Sequence, residues 1–137
     1  MKYVLDASVA VKMLLHEQDS RLALALREDF RNQIRELISP DILPAEMGHA
    51  LTRAERKGII PQGEAKKLFY DFLDPCPELV PYGEVYDRAL QLSSAVRIGF
   101  YDCLYVALGE REGCPVITAD DRLVNSFKGH VISLSSL

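Results

Sequence analysis

The chain has 137 residues, 48% hydrophobic and 26% charged, with a formal net charge of -4 at pH 7; this suits one domain, residues 1–137, and leaves little room for a second core. The acid excess excludes a general nucleic-acid coat, whose affinity comes from phosphate neutralisation by Lys and Arg, but not a local basic rim. No apolar run approaches the roughly 20 residues of a membrane span, and Met1 and Lys2 lead straight into Tyr3, Val4, Leu5 and Asp6 without a signal-peptide pattern, so a cytoplasmic protein with no membrane partner is expected.

Residues 2–5 read as a short strand ending at Asp6, and Val9, Ala10, Met13 and Leu14 recur at helical spacing directly afterwards. A break at 17–20 precedes a second helix with Leu22, Leu26, Phe30 and Ile34 on one face and Arg21, Arg27 and Arg31 largely off it. Residues 36–39 offer a second strand. From 42 to 57 a helix carries Leu43, Met47, Ala50, Leu51 and Ala54 along one stripe, with Pro44 in its first turn, Gly58 as its stop and Glu46 beside the stripe. Pro61 opens another helix through Leu68, Phe69 and Phe72, and residues 79–82 suggest a third strand. Val85, Ala89, Leu92, Ala95 and Val96 share a face of the next helix, closed by Gly99.

The helix that follows is apolar all round from Leu104 to Leu108, as expected of one buried on most sides, with Gly113 as its stop and Pro115 barring continuation. Asp102 falls in its first turn. Pro115, Val116 and Ile117 are too few for a helix and read as a strand covered on both faces, running out into Thr118, Ala119 and Asp120. A small helix at 121–127 and a strand at 130–134 complete the chain. Cys76, Cys103 and Cys114, odd in number and without C-x-x-C spacing, read as reduced structural thiols.

Short apolar strands alternating with helices imply an α/β fold: one parallel sheet with helices on both faces. Functional groups in such sheets gather at the carboxyl ends of the strands, where the strand order reverses. Asp6 and Asp120 both stand at such ends.

Four acids therefore occupy element boundaries beside apolar structure: Asp6, Glu46, Asp102 and Asp120. Each alone is explained by helix capping or by a favourable first-turn position. As a set they are harder to accommodate, because two carboxylates about 5 Å apart repel by roughly 3 kcal/mol at an effective dielectric near 20. Such a group retains protons or holds a cation. Oxygen ligands with no neighbouring His or Cys favour a hard ion, Mg²⁺ or Mn²⁺, and suit phosphodiester hydrolysis.

D-A-S at 6–8, P-A-E-M-G-H-A-L at 44–51, Y-D-C-L-Y-V-A-L at 101–108 and T-A-D at 118–120 resemble the motifs of PIN-domain ribonucleases. Their order and spacing most resemble the VapC toxins of bacterial and archaeal toxin–antitoxin pairs, over essentially the whole chain. The resemblance implies a PIN-like sheet flanked by helices, metal-dependent cleavage of RNA, a homodimer, and a cognate antitoxin that blocks the acidic pocket. It assigns Asp6, Glu46, Asp102 and Asp120 to the Mg²⁺ or Mn²⁺ ion and the attacking water. Ser8 and Thr118 match the hydroxyl positions that orient these acids, with backbone capping as the alternative, and Asp121 is either a supporting or a solvated residue. At His49 many members carry Asn; a half-buried structural histidine is expected there.

Aspartyl-phosphate phosphatases also begin with a strand ending in Asp, but their general acid follows two residues later, where this chain has Ser8. A receiver-type domain needs paired acids after the first strand and a late Lys, and has neither match. A housekeeping RNA-processing nuclease of the same fold and a non-catalytic binding module stay open. Setting aside the four proposed ligands, the rest of the chain is formally neutral and need not repel RNA. Arg53, Arg56, Lys57, Lys66 and Lys67 cluster near helix ends, where solvation or dipole pairing explains each singly.

Overall fold

Five parallel strands form one sheet: β1 (Lys2–Leu5), β2 (Glu36–Pro40), β3 (Glu78–Val80), β4 (Val116–Thr118) and β5 (Val131–Ser133), in the order β3-β2-β1-β4-β5. They come from a computed structural model that describes residues 1–137. The chain winds outward from β1 through β2 to β3, then returns to the other side of β1 for β4 and β5. The order therefore reverses between β1 and β4, where Leu5 is in register with Ile117.

Consecutive strand residues point to opposite faces, so the exposure of β1 reports on both sides of the sheet. Val4 and Leu5 are each 0% exposed, and all three residues of β4 are buried. Helices cover both faces, as expected of an all-parallel sheet. They are α1 (Ala7–Lys12), α2 (Ser20–Arg31), α3 (Leu43–Arg56), α4 (Glu64–Phe72), α5 (Tyr86–Val96), α6 (Phe100–Glu112) and α7 (Asp121–Ser126). Helix α6 lies against β1, β2 and β4 with α5 on its outer side, and α1 packs on α2, α3 and β4.

The apolar run of α6 is buried without interruption from Cys103 to Gly109, so this helix has no solvent stripe along its middle. Its last buried position cannot take a side chain without displacement. A Cβ on Gly109 would stand 2.9 Å from the Cys114 carbonyl oxygen and 3.1 Å from Val116 Cγ2. A smaller cluster of Leu15, Leu51, Ala54 and Ala65 ties α3 to α4. Arg27, 7% exposed, is held by the Asp71 carbonyl and carboxylate at 3.0 and 3.2 Å and lies over the Phe72 ring.

Several boundaries differ from the periodicity. α2 stops at Arg31 because Gln33 takes a left-handed φ of 61°, which leaves Ile34 outside the helix and 62% exposed. α4 begins at Glu64, behind Gly63 at φ 88°, so Pro61 sits in the preceding turn. β3 ends at Val80 because Pro81 leads into a 3-10 turn, Tyr82–Val85, that carries Tyr82 away from the sheet. At the end of α5, Ala95 and Val96 are exposed; Arg97 turns the chain at φ 58° and Ile98 enters the core in their place.

Candidate active site at the strand ends

The reversal point brings Asp6, after β1, beside Thr118, the last residue of β4. The Asp6 amide donates to the Ile117 carbonyl at 3.1 Å, and the buried Ser39 hydroxyl donates to the Leu5 carbonyl at 2.7 Å. The backbone that presents Asp6 is thus held from both neighbouring strands. Asp6 occupies the N-cap position of α1, yet its side chain makes no capping hydrogen bond. Its Oδ2 instead accepts from the Ser8 hydroxyl at 2.6 Å and the Thr118 hydroxyl at 2.8 Å. Each hydroxyl in turn accepts a backbone amide, Ser8 Oγ from Ala119 at 3.0 Å and Thr118 Oγ1 from Asp120 at 3.1 Å. The two hydroxyls are thereby oriented as donors toward one carboxylate oxygen.

Burial pushes the Asp6 carboxyl above the usual carboxylate range, against the opposing pull of these two hydroxyls. Glu46, in the first turn of α3, accepts from the Tyr105 phenol at 2.5 Å. Its carboxyl is also raised, first by burial and then by the charges of Asp6 and Asp102, while Tyr105 opposes the shift. Asp102, in the first turn of α6, is raised by burial and by Asp6 and Asp120. The cation acting against that rise is Arg122, whose Nη2 lies 3.8 Å from Asp102 Oδ2 on a side chain 66% exposed. Asp120 caps α7 by accepting the Arg122 amide at 2.9 Å, so its capping role is real and coexists with its place in the cluster.

The structure brings Asp6 and Asp102 into electrostatic range of Glu46, and Asp6 and Asp120 into range of Asp102, with Ser8 and Thr118 bonded to Asp6. Asp121 is exposed in the first turn of α7 and makes no hydrogen bond to any of the four. His49, expected half-buried, is exposed. Tyr105, Ser39 and Arg122 escaped the sequence reading. Tyr105 follows Asp102 by three residues, which puts both on one helix face, and that spacing was the available signal.

A hard cation fits this donor set. Every candidate ligand atom is a carboxylate oxygen, burial raises three of the carboxyls, neighbouring acids raise Glu46 and Asp102 further, and one exposed arginine acts against the rise at Asp102. No three Asp, Glu, His or Cys side chains stand close enough together to hold a metal ion among them. Mg²⁺, which keeps several waters and takes one or two protein carboxylates, suits so open an arrangement.

The sequence profile described as PIN domain matches residues 3–126. Ribonuclease VapC1 of Mycobacterium tuberculosis is 34% identical over 88% of this chain and 86% of its own length. Ribonuclease VapC3 of Pyrobaculum aerophilum is 29% identical over 93% of this chain and 95% of its own. Among solved structures, PAE2754 from Pyrobaculum aerophilum superposes with a TM-score of 0.73 at 21% identity, covering 99% of this chain and 85% of that one. VapBC2 from Rickettsia felis, bound to a DNA fragment from its promoter, gives a TM-score of 0.68 at 14% identity, covering 97% and 98%. The chain belongs to the PIN-domain family, and within it to the VapC type. No helix is long and apolar enough to cross a membrane.

Proposed function

We propose that this protein is a Mg²⁺- or Mn²⁺-dependent ribonuclease that hydrolyses RNA phosphodiester bonds, and the toxin of a VapBC-type pair whose antitoxin covers the acidic pocket. The observation that carries this reading is the group of buried Asp6 and half-buried Glu46 and Asp102 at the strand-order reversal, in which Asp6 raises the carboxyls of both the others, with one exposed arginine beside them. The ribonuclease names of the relatives support the reaction, and the VapBC2 neighbour supports the antitoxin. A homodimer belongs to the same reading.

A bound divalent ion would supply charge stabilisation at the phosphoryl group and lower the pKa of a water it holds. Asp6, Glu46, Asp102 and Asp120 would hold it, directly or through water. Ser8 and Thr118 fix which Asp6 oxygen is free by occupying the other, and Tyr105 does the same for Glu46. Arg122 stands where it can leave Asp102 for an incoming phosphate.

The test is incubation of purified, antitoxin-free protein with a pool of structured and single-stranded RNAs in Mg²⁺, in Mn²⁺ and in chelator, beside Asp6→Asn and Asp102→Asn variants that melt no lower than wild type. Cleavage that needs metal and disappears in both variants is expected. No cleavage across the pool, together with no metal-induced rise in melting temperature, would return the domain to the binding-module reading.

A further inference from the structure

Beside the acids, Ile42, Ala45, Glu46, His49 and Tyr101 line a pocket of about 480 Å³. Tyr101 directly precedes Asp102 in the first turn of α6, where every residue from Cys103 to Gly109 is buried, yet Tyr101 is 58% exposed. His49 lies three residues after Glu46 and so shares its face of α3. The pocket thus has apolar walls from Ile42 and Ala45, an aromatic side from Tyr101, an imidazole from His49, and a floor residue, Glu46, that also belongs to the acidic site. On the far side of the acids, toward β5, the neighbouring hollow is lined by Lys12, Asp19, Ser133 and other residues, with no aromatic among them.

We propose that Tyr101 and His49 form a subsite for one unpaired nucleobase of the RNA substrate, adjacent to the phosphate cleaved over the acids; this rests on the ribonuclease reading. Recognition of single-stranded RNA splays bases out and stacks them on aromatic rings, with polar groups reading their edges. Tyr101 supplies the ring and His49 the edge contact. Continuity through Glu46 sets the register: a strand whose phosphate lies over the carboxylates has its nearest base within reach of this pocket, and the β5 side offers nothing to stack on. A base held in a duplex cannot enter, so the subsite selects single-stranded RNA.

The experiment measures KM and kcat in Mg²⁺ on a single-stranded RNA that wild type cleaves, for Tyr101→Phe, Tyr101→Trp, Tyr101→Leu and His49→Ala. Tyr101→Leu should raise KM about 5- to 150-fold with kcat nearly unchanged, the range set by stacking of one base on one aromatic ring. The Phe and Trp variants should stay within about threefold of wild type, and His49→Ala should alter which base is preferred. An RNA abasic at one position flanking the scissile phosphate should weaken wild type as much as Tyr101→Leu does, with no further loss when the two are combined. A wild-type KM in Tyr101→Leu, or additive losses, overturns the subsite and leaves the ribonuclease reading standing. Absence of cleavage by wild type in every metal overturns both. Because Tyr101 is a surface residue, none of these variants should fail to fold.

Discussion

Thr118→Val tests the arrangement that most defines the site. In the native protein Asp6 Oδ2 accepts hydroxyls from Ser8 at 2.6 Å and Thr118 at 2.8 Å, in surroundings where Asp6 is 5% and Thr118 0% exposed. A hydrogen bond to a charged group has a net worth of about 1.5–3 kcal/mol, and valine nearly preserves the volume, so urea denaturation of metal-free protein at a pH above the folded Asp6 value should show a loss near 2 kcal/mol. In an Asp6→Asn background the same change removes a neutral bond of about 1 kcal/mol, which gives a coupling of about 1 kcal/mol between the two positions. The sign with pH follows from Asp6 being raised in the folded state. As pH falls through the folded value toward the ordinary Asp pKa of about 3.9, Asp6 takes its proton, the bond becomes neutral, and the penalty of Thr118→Val shrinks. Equal losses in the two backgrounds, or a penalty that grows in acid, would show that Thr118 merely packs and does not hold a carboxylate.

Tyr105→Phe leaves a buried ring in place but strips Glu46 of its phenol, so burial, Asp6 and Asp102 act unopposed; titration calorimetry should give Mn²⁺ affinity weaker by about 10-fold, as for other partners that orient metal ligands. Unchanged affinity would separate Glu46 from the metal. Gly109→Ala should cost about 1–3 kcal/mol through overpacking against the Cys114 carbonyl, read as a lower melting temperature with unaltered metal binding. Asp6, Glu46 and Asp102 are all raised on folding, so their contribution to stability is fully present below the ordinary carboxylate range and is lost as pH rises through their folded values. Metal-free protein should accordingly melt higher as pH is lowered through the folded values of these carboxyls, and saturating Mg²⁺ should flatten that slope. A metal-free melting temperature that falls steadily over this range would contradict the proposed strain.

The strand ends were legible because a short β-branched run that stops at a carboxylate has few meanings in a parallel fold. Asp6 and Asp120 could be placed on one edge from the alternation of strands and helices alone. Glu46 and Asp102 were legible as first-turn acids, and the four short motifs supplied the rest. Tyr105 was legible only as sharing a helix face with Asp102, since within L-Y-V-A-L it is buried like its apolar neighbours and only its rotamer carries the hydroxyl to Glu46. Arg122 reads as a solvated surface cation until the chain reversal sets it against Asp102. Ile34 and Val96 were misplaced for one reason: both fall where a non-glycine residue, Gln33 or Arg97, takes a left-handed conformation that periodicity does not announce.

The architecture explains why the acids are tolerated at all. Three carboxyls raised by burial, two of them also by neighbouring acids, oppose folding once ionised, and the exposed pairs elsewhere, such as Arg88 with Glu110 at 2.7 Å, are worth too little to compensate. The offset comes from the uninterrupted burial of α6 against β1, β2 and β4, because the helix that presents Asp102 also supplies the largest fully buried side chain, Tyr105, and its hydroxyl. Core and site are therefore not separable in this segment: the side chain that fills the interior also orients the Glu46 carboxylate. A cation at the strand ends would relieve a repulsion that the rigid core maintains, which makes the protein's own stability a readout of the site.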